Sequence, residues 1–481
     1  MNELLFKSIH EMGALIKNRK VSPVELTQAT LDHIAEIDPV LNAFPVIKTE
    51  QALSDARAAE IEISSGYYRG PFHGIPVGFK DNLSVAGWVT SCGSPILADH
   101  VTDSDAAVVE RLRDAGAVVI GKNNMHEWAL AGSCTYSIFG TVHNPWDPSR
   151  TSGGSSGGSG AAVSAGQAFL SIGTDARASV RNPASYCGIV GHKPSTGLIS
   201  RYGELPATSA WYMVVGPLAR TVGDAALAMN VLAGHDPRDP NSLRSPAVDY
   251  LPSESDTLKG LRVGLPTNYF FDDAVPEVES AVRAAARSFE QLGAEIIDVS
   301  LPSLEHMQLI EPSFESENKG WLLNHALHRG QDFLHQDIRF RILAGAFART
   351  IDHERASRLL NKLRWEAQKM FELVDVIITP TNSTAAYKLD EPMAQIKGGE
   401  IDVESANGQS RVTTRLTVPF NALGLPAISL PCGFTSEGMP IGLQIAGRHF
   451  DDKRVLNVAA AYERNAGPGY RQPPVVHKFN R

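Results

Sequence analysis

Cysteine is scarce in this chain: four cysteines occur among 481 residues, and no two of them form a C-x-x-C pair. A disulfide framework and a cysteine-rich zinc site both need patterned cysteines, so the sequence favours neither. The histidines at 325 and 328 lack a third metal ligand, and we expect neither a metal nor a cofactor. Reduced core thiols are expected at Cys92, Cys134, Cys187 and Cys432.

The chain also lacks an excess of basic residues and any long apolar run. Its 44 basic and 53 acidic residues give a formal net charge of -9. Such a balance provides no overall attraction to nucleic acid or to an anionic membrane, so neither partner is expected. No segment supplies the roughly 20 apolar residues that cross a bilayer, and the charged N-terminus does not resemble a signal peptide. The sequence therefore predicts a cytoplasmic protein.

What the chain does contain is an alternation of helices with short apolar strands. "SDAAVVERLRDAGAVVIGK" and "EVESAVRAAARSFEQLGAEIIDVSLP" each predict a helix that stops at a glycine and leads into a buried strand. This alternation predicts an α/β fold. Further strands are predicted at 75–79, 261–265, 374–379, 427–430 and 441–445.

No linker or internal repeat divides the chain, so we expect a single domain over 1–481. Residues 1–65 are predicted to form an N-terminal helical segment. Within it, a helix begins after Ser22 in a capping box with Glu25 and ends at Pro39. Residues from about 303 to 372 also have a mostly helical pattern, which fits either a cap over a pocket or an outer packing layer.

Two glycine patterns match known motifs without their structural setting. "GAVVIGKN" has the spacing of a phosphate loop, but its strand lies between the glycines, and Asn123 replaces the magnesium-binding hydroxyl. Residues 153–157, "GGSSG", satisfy G-x-S-x-G, yet a turn-rich stretch precedes them where a nucleophile elbow needs a strand. Because this run leads into apolar residues, it predicts a buried turn at a helix N-terminus rather than a flexible linker.

Five motifs, taken in order, resemble the amidase signature family across essentially the full chain. They are "GIPVGFKDNLSVAGWVTSCGS", "VVIGKNNMHEWALAGS", "NPWDPSRTSGGSSGGSGAAVSAG", "GTDARASVRNPASYCGIVGHKPSTGLISRYG" and "GLPAISLPCGF". The resemblance implies a large single α/β domain around a mixed, twisted central sheet covered by helices. It also places the family's catalytic lysine on Lys80, its bridging serine on Ser155 after a cis peptide bond, and its nucleophile on Ser179.

Elementary chemistry agrees with these implied roles. A serine hydroxyl is a poor nucleophile without a base, and no histidine is a convincing partner for Ser179. Lys80 can be that base only when neutral; lowering its pKa from about 10.4 to about 7 costs roughly 4 to 5 kcal/mol, which burial can supply. The apolar "GIPVGF" before Lys80 supports burial. Two structural alternatives stay open: Lys80 paired with Asp81, and Ser155 as a helix cap.

The loop before Ser179 departs from the family pattern. Most members have two glycines there, and their backbone N–H groups form the oxyanion hole. This chain has Ala176, Arg177 and Ala178 instead, whose backbone can still donate if their φ values are negative. The Arg177 side chain fits three roles: binding an acidic or carbonyl-rich substrate, closing the pocket to bulky acyl groups, or pointing outward to pair with an acid such as Asp175.

The predicted function is hydrolysis of amide C–N bonds, including aryl amides or carbamates (urethanes), with esterase side activity. A first alternative is the A subunit of a tRNA-dependent amidotransferase, against which the altered loop argues, as does Met213 where relatives often have an acid. A second alternative is a catalytically inactive binding homologue. For the main prediction, the partners are a small amide, carbamate or ester and water, without nucleic acid, and the chain is a monomer or homodimer.

The sequence defines the reaction better than it defines the residues that contact the substrate. Met125, Tyr136 and Arg177 are candidate substrate-binding residues. Aromatic residues near the motifs favour an aromatic or hydrophobic substrate, although core packing also explains them: Trp88, Trp128, Tyr136, Tyr186, Trp211 and Tyr212.

Overall fold

Eleven strands form one mixed sheet in the computed structural model of the chain, which describes residues 2–206, 212–253, 257–310, 322–391 and 393–479. Its strands are β1 (Val46–Ile47), β2 (Pro76–Lys80), β3 (Val118–Asn123), β4 (Leu170–Asp175), β5 (Val190–Lys193), β6 (Val214–Ala219), β7 (Arg262–Pro266), β8 (Glu295–Val299), β9 (Val376–Pro380), β12 (Ala427–Phe434) and β13 (Pro440–Gly447). A separate hairpin contains β10 (Met393–Ile396) and β11 (Gly399–Asp402). Across the sheet the order is β1-β3-β2-β4-β6-β5-β12-β13-β9-β7-β8.

Helices flank this sheet. They are α1 (Ile9–Lys17), α2 (Pro23–Leu41), α3 (Thr49–Ser64), α4 (Ala107–Asp114), α5 (Gly157–Ser164), α6 (Arg181–Cys187), α7 (Val222–Leu232), α8 (Pro276–Gln291), α9 (Leu323–His328), α10 (Gln336–Gly345), α11 (Thr350–Leu373), α12 (Ala406–Gln409), α13 (Val418–Ala422), α14 (Asp452–Asn465) and α15 (Pro474–Phe479). Short 3₁₀ turns occur at Asn2–Phe6, Pro95–Leu97, Glu127–Ala129, Pro302–His306 and Gly330–Asp332, and a π turn occurs at Ser410–Thr414.

The predicted fold class is confirmed, as are the predicted strands. Strands lie at each of the five predicted ranges, as β2, β7, β9, β12 and β13, with ends shifted by a few residues. Antiparallel pairs join β4 to β6 and β12 to β13, whereas β2 pairs in parallel with β3 and β4. The sheet is therefore mixed, as the family resemblance implied.

Three polar strand ends meet because β2, β3 and β4 run in parallel. In register, Lys80 of β2 lies opposite Asn123 of β3, and Phe79 of β2 lies opposite Ile172 of β4. The carboxyl ends of parallel strands share one edge of a sheet, so Lys80, Asn123 and Thr174 lie at that edge. All three strands are buried along their whole length, which explains why their sequences are mostly apolar.

The second helix starts where predicted but ends later. Ser22 and Glu25 form the predicted capping box. The predicted end at Pro39 is wrong, because α2 continues to Leu41 with the proline inside it. Pro39 has no N–H and removes one helical hydrogen bond, yet the helix continues two residues further, and Asn42, in the left-handed region at φ 54°, ends it by donating its N–H to Asp38 O.

The N-terminal residues are fastened to the main sheet by two buried groups of the β6–α7 region. The Arg220 guanidinium donates to Ala168 O at 2.9 Å and to Lys7 O at 2.8 Å. Asp224 accepts the N–H of Ile9 at 2.8 Å. Two side chains therefore hold the first turns of the chain against the core.

The helical segment that follows β8 packs against a turn near the carboxyl end of β3. Its residues 311–321 lie outside the described part of the chain. Leu322, Phe333 and Ile338 form one buried apolar cluster with Trp128 of the 3₁₀ turn. Arg341 donates to Leu130 O at 3.1 Å and to Gln409 Oε1 at 2.6 Å. Its role as a cap and the single-domain assignment of 1–481 stay predictions.

None of the helices that the structure describes combines the length and apolar composition needed to cross a membrane.

Arg220→Met should weaken the attachment of the N-terminal residues. The substitution keeps the apolar stem but removes the donors to buried carbonyls, so we expect the free energy of unfolding to fall by about 2 to 4 kcal/mol. Urea denaturation followed by fluorescence measures this change, and trypsin digestion should cleave near Lys17 sooner. Arg349→Met, at an exposed ion pair with Asp352, is the control; equal unfolding midpoints for the two variants would contradict the prediction.

Candidate active site

Lys80 is a fully buried lysine at the carboxyl end of β2. Its Nζ lies 2.7 Å from Ser155 Oγ and 2.9 Å from Thr174 Oγ1. Burial disfavours the charged amine and lowers the pKa of Lys80 to about 8. At pH 7 roughly a tenth of the amine is therefore neutral, and neutral Lys80 can accept a proton from either hydroxyl.

Asp81, the residue after Lys80, pairs with a different lysine. Lys122 Nζ of β3 lies 3.3 Å from Asp81 Oδ1 and also donates to Leu83 O at 2.6 Å. The second oxygen of Asp81 accepts the Ser91 N–H at 3.1 Å. The alternative in which Asp81 pairs with Lys80 is thus not what the structure shows, and the lysine of the phosphate-loop-like pattern has a structural role.

Ser155 sits in a buried turn whose two preceding glycines are sterically required. The Gly154–Ser155 peptide bond is cis, and Asn182 Nδ2 donates to Gly154 O at 3.3 Å. A Cβ at Gly154 would lie 2.0 Å from Ser133 O, so no other residue fits. Helix α5 begins at Gly157 after Ser156, which makes no side-chain cap bond. Ser155 therefore faces Lys80 and is not the cap of this helix.

Ser179 lies in the loop between β4 and α6, and it is slightly exposed (7%) where Ser155 is not (0%). Its carbonyl accepts the Ser156 N–H at 3.3 Å, which brings the two serine-bearing turns together. None of Ala176, Arg177 and Ala178 has a positive φ. This backbone is accessible to any L residue, so the missing glycines impose no strain here.

A buried charge network holds the Ser179 loop. Arg181 donates to both carboxylate oxygens of Asp175 at 3.0 Å, and it also donates to Arg177 O at 3.2 Å. Asn421 Nδ2 donates to Asp175 Oδ1 at 3.0 Å. Burial alone would raise the pKa of Asp175, but the Arg181 charge and hydrogen bonds keep it lowered. The acid that the sequence offered as a partner for Arg177 is instead bound by Arg181 and Asn421.

Ser155 and Ser179 open onto one mostly apolar pocket. The Arg177 side chain lines it and donates to Thr414 Oγ1 at 3.2 Å. Other lining residues come from the β3 turn, the segment before β6, the helical segment and α12: Trp128, Ala129, Leu130, Leu205, Pro206, Tyr212, Met213, Leu322 and Gln409. Such a pocket suits an apolar substrate that has a few polar groups.

The other candidate substrate residues lie elsewhere. Met125 is fully buried and is not among the residues that line this pocket. Tyr136 lines a neighbouring pocket and stacks on His335, with ring centroids 4.2 Å apart. Of the aromatic candidates, Trp128 and Tyr212 line the Ser179 pocket, whereas Trp211 lies outside the described residues.

Sequence reasoning missed Thr174 and Asn421. Thr174 accepts from both Lys80 Nζ and, at 3.3 Å, Asn82 Nδ2, which fixes its hydroxyl beside the amine. Its position at the end of the apolar run that leads into the Ser179 loop, five residues before Ser179, was the available signal. Asn421 is 246 residues from Asp175, and no local pattern announces that contact.

The structure offers no preformed metal centre in the residues it describes, where no three His, Cys, Asp or Glu side chains converge in a group that could hold an ion.

The amidase family model matches residues 25–456. The chain therefore belongs to the amidase (amidase signature) family, a family of hydrolases, as the motifs had predicted.

The proteins that are similar to this chain have different functions. The chain is 37% identical to the A subunit of the glutamyl-tRNA(Gln) amidotransferase of Moorella thermoacetica, over 98% of this chain and 99% of the relative. A solved structure of a vestigial protein complex, said to reveal the evolutionary origins of an s-triazine catabolic enzyme, matches with a TM-score of 0.90 and 30% identity, covering 97% and 100% of the two chains. A bacterial aryl acylamidase matches with a TM-score of 0.85 and 28% identity, covering 96% of each chain.

The predicted partners need correction. A chain restricted to a small substrate and water, without nucleic acid and as monomer or homodimer, conflicts with relatives that are by name subunits of an enzyme for glutamyl-tRNA(Gln). The net charge of -9 was used to argue against nucleic acid as a partner, but a net charge excludes only an attraction between nucleic acid and the chain as a whole. One chain of such an assembly can leave nucleic-acid contacts to its companion chains.

The buried position of Lys80 predicts that the rate of amide hydrolysis increases with pH. Its lowered pKa means that the neutral base is present above a pH of about 8 and is lost as the pH falls below it. We therefore expect kcat/KM to increase about tenfold per pH unit below that value and to level off above it. A pH profile of amide hydrolysis measures this, and Lys80→Arg, whose side chain stays charged, should be inactive at every pH. A profile that is flat between pH 6 and 9 would show that Lys80 is not the base.

Proposed function

We propose that the chain hydrolyses the C–N bond of a carboxamide, with Ser179 as nucleophile, Ser155 as proton bridge and Lys80 as base. The observation that carries this proposal is the buried contact of 2.7 Å between Lys80 Nζ and Ser155 Oγ, beside a pocket into which Ser179 also opens. A buried amine of lowered pKa next to a chain of hydroxyls is what activation of a serine without histidine requires.

The reaction follows from this arrangement. Ser179 Oγ attacks the amide carbon while its proton passes to Ser155 Oγ, and the Ser155 proton passes to neutral Lys80. We assign the stabilisation of the developing oxyanion to the backbone N–H groups of residues 176–178. Collapse of the tetrahedral intermediate breaks the C–N bond, and the proton returns through Ser155 to the leaving amine. Water then attacks the acyl-Ser179 ester by the same proton route and releases the acid.

The relatives favour one setting for this chemistry, namely the A subunit of a tRNA-dependent amidotransferase. The support is the 37% identity to such a protein over nearly the whole of both chains. An enzyme that transfers an amido group needs a source of nitrogen, and hydrolysis of a donor carboxamide at Ser179 would supply ammonia. In this setting tRNA and companion subunits are partners of the assembly.

A second setting is hydrolysis of small amides by the chain alone. What supports it is the pocket itself, where the apolar Trp128, Tyr212 and Met213 lie beside Arg177. The similarity to a bacterial aryl acylamidase agrees with this setting. Aryl amides and carbamates are the substrates proposed here, with esters as easier ones because their leaving groups are better.

Loss of any of the three catalytic groups should abolish hydrolysis in either setting. Ser179→Ala, Ser155→Ala and Lys80→Ala are expected to lower kcat at least roughly 1,000-fold, since nucleophile, bridge and base act as one unit. The assay measures release of ammonia or aniline from glutamine, asparagine, acetanilide and phenyl carbamate. Ser159→Ala, at a buried serine of α5 in the same motif, is the matched control and should retain activity. Full activity of Ser179→Ala would refute the assignment.

The two settings are separated by exchanging subunits. The chain replaces its relative, the A subunit, in the Moorella thermoacetica amidotransferase, and formation of amidated tRNA is compared with hydrolysis by the chain alone. Amidated tRNA that disappears with Ser179→Ala supports the role in the assembly. Efficient anilide hydrolysis by the isolated chain, without any tRNA product in the exchanged assembly, supports the second setting and overturns the first.

A further inference from the structure

Helix α11 presents a row of basic side chains on its outward face. The residues that it buries against the core recur every three or four positions: Ala356, Leu360, Leu363, Ala367, Met370 and Phe371. On the opposite side of the helix, the same spacing joins a set of exposed residues, which we call the basic row: Arg355, Arg358, Lys362, Trp365 and Lys369. The cations of this set therefore lie side by side along one face.

The middle of the basic row lacks acidic neighbours. From residue 355 to residue 365 the helix has four basic residues and no acidic one. The first acid after this stretch, Glu366, turns toward the core: its side chain is 10% exposed and accepts the N–H and the hydroxyl of Ser303 at 2.9 and 2.7 Å. It lies 4.0 Å from Lys362 Nζ. Most of the hydrogen bonding of Glu366 is therefore spent away from the basic row.

The acids before this stretch leave its charge in place as well. Asp352 is bound by two nitrogens of Arg349, at 2.7 and 2.9 Å, and lies farther from Arg355, at 3.7 Å. Within the part of the chain that the structure describes, Arg358 makes no ion pair with the exposed Glu354 one turn before it. A chain with a net charge of -9 thus has a locally positive helix face.

An exposed tryptophan lies among these cations. Trp365 is 59% exposed, and it follows Lys362 by three residues and precedes Lys369 by four, so the three side chains are neighbours on the helix surface. Cations that contact phosphates beside an aromatic ring that stacks on a base are the combination that binds single-stranded nucleic acid. An acidic protein segment would use the cations but has no base to stack on the ring.

The basic row is long enough for such a ligand and separate from the reaction site. From Arg355 to Lys369 it extends about 21 Å, at about 1.5 Å per helical residue, which allows contacts to several consecutive phosphates. None of the described residues that line the Ser179 pocket belongs to α11. Since charges are screened beyond about 8 Å at physiological salt, the local charge of this face matters more than the net charge.

We infer that the outward face of α11 is a binding surface for RNA, with the four cations of the basic row on phosphates and Trp365 stacked on an unpaired base. RNA is favoured over an acidic protein by the exposed ring, and by the similarity to subunits of an enzyme named for glutamyl-tRNA(Gln). The binding step does not depend on the proposed reaction at Ser179.

Fluorescence anisotropy with a short labelled single-stranded RNA, titrated with the full chain at several salt concentrations, tests this surface. Arg358→Gln/Lys362→Gln should lower the affinity about tenfold or more, and the slope of log affinity against log salt should become shallower by about 1.4, because two phosphate contacts are lost. Trp365→Ala should lower the affinity about fivefold or more and leave the salt slope unchanged, because stacking releases no counterions.

A matched control removes two lysines from another part of the surface. Lys388 and Lys397 form ion pairs with Glu391 and Glu279, each at 3.1 Å, and neither belongs to α11. Lys388→Gln/Lys397→Gln changes the net charge by the same amount and should leave the affinity for RNA within about twofold of the wild type. An equal loss of affinity in this control would show a general electrostatic effect and overturn the inference.

Labelled polyglutamate identifies the alternative occupant. If the chain binds polyglutamate as tightly as RNA and Trp365→Ala weakens neither, the face binds an acidic protein segment and the RNA surface is overturned, as it also is if the wild-type chain binds no RNA at low salt. Amide hydrolysis is assayed on the same wild-type preparation. RNA binding that depends on the basic row in a chain without hydrolysis upholds the surface while the proposed function fails, and hydrolysis without RNA binding gives the reverse result.

Discussion

The cost of burying the Lys80 ammonium is the constraint on which the site depends. Three parallel strands deliver their carboxyl ends to one edge of the sheet, and both faces of those strands are covered. Among the described residues, the hydrogen-bond partners of Lys80 are hydroxyls, because the neighbouring Asp81 is paired with Lys122 instead. The free energy spent on burying the Lys80 ammonium appears as a lowered pKa, which is the property that the proposed base requires.

The sequence predicted those parts of the molecule that are local. The capping box at Ser22 and the apolar strands depend on neighbouring residues, and they were found where the pattern indicated. The end of α2 was missed because the loss of one hydrogen bond at Pro39 does not stop the helix, which ends at the left-handed Asn42. Lys80, Ser155 and Ser179 came from the family motifs, and the structure brings Lys80 and Ser155 into contact while Ser179 lines the same pocket.

The rest of the site depends on contacts between distant residues. The choice of Lys122 over Lys80 by Asp81 follows from strand register, which no single strand encodes. Asp175, which is paired with Arg181, also accepts a hydrogen bond from Asn421, and the sequence around Asn421 does not predict this contact. Met125 sits in a motif, yet it is fully buried and does not line the pocket. A motif identifies which residues share a neighbourhood, but packing decides which of them face the cavity.

The contacts of Arg341 have a consequence for how this fold can diverge. Arg341 belongs to the helical segment, yet it donates hydrogen bonds to Leu130 and Gln409, which line the pocket. A change of helix packing well away from the serines would therefore shift the pocket wall while leaving the contact between Lys80 and Ser155 intact. Substitutions in the outer helices that are selected for binding a new companion chain, or for stability at a new temperature, can therefore also change which substrate the pocket accepts. New specificity does not have to begin at the reacting atoms.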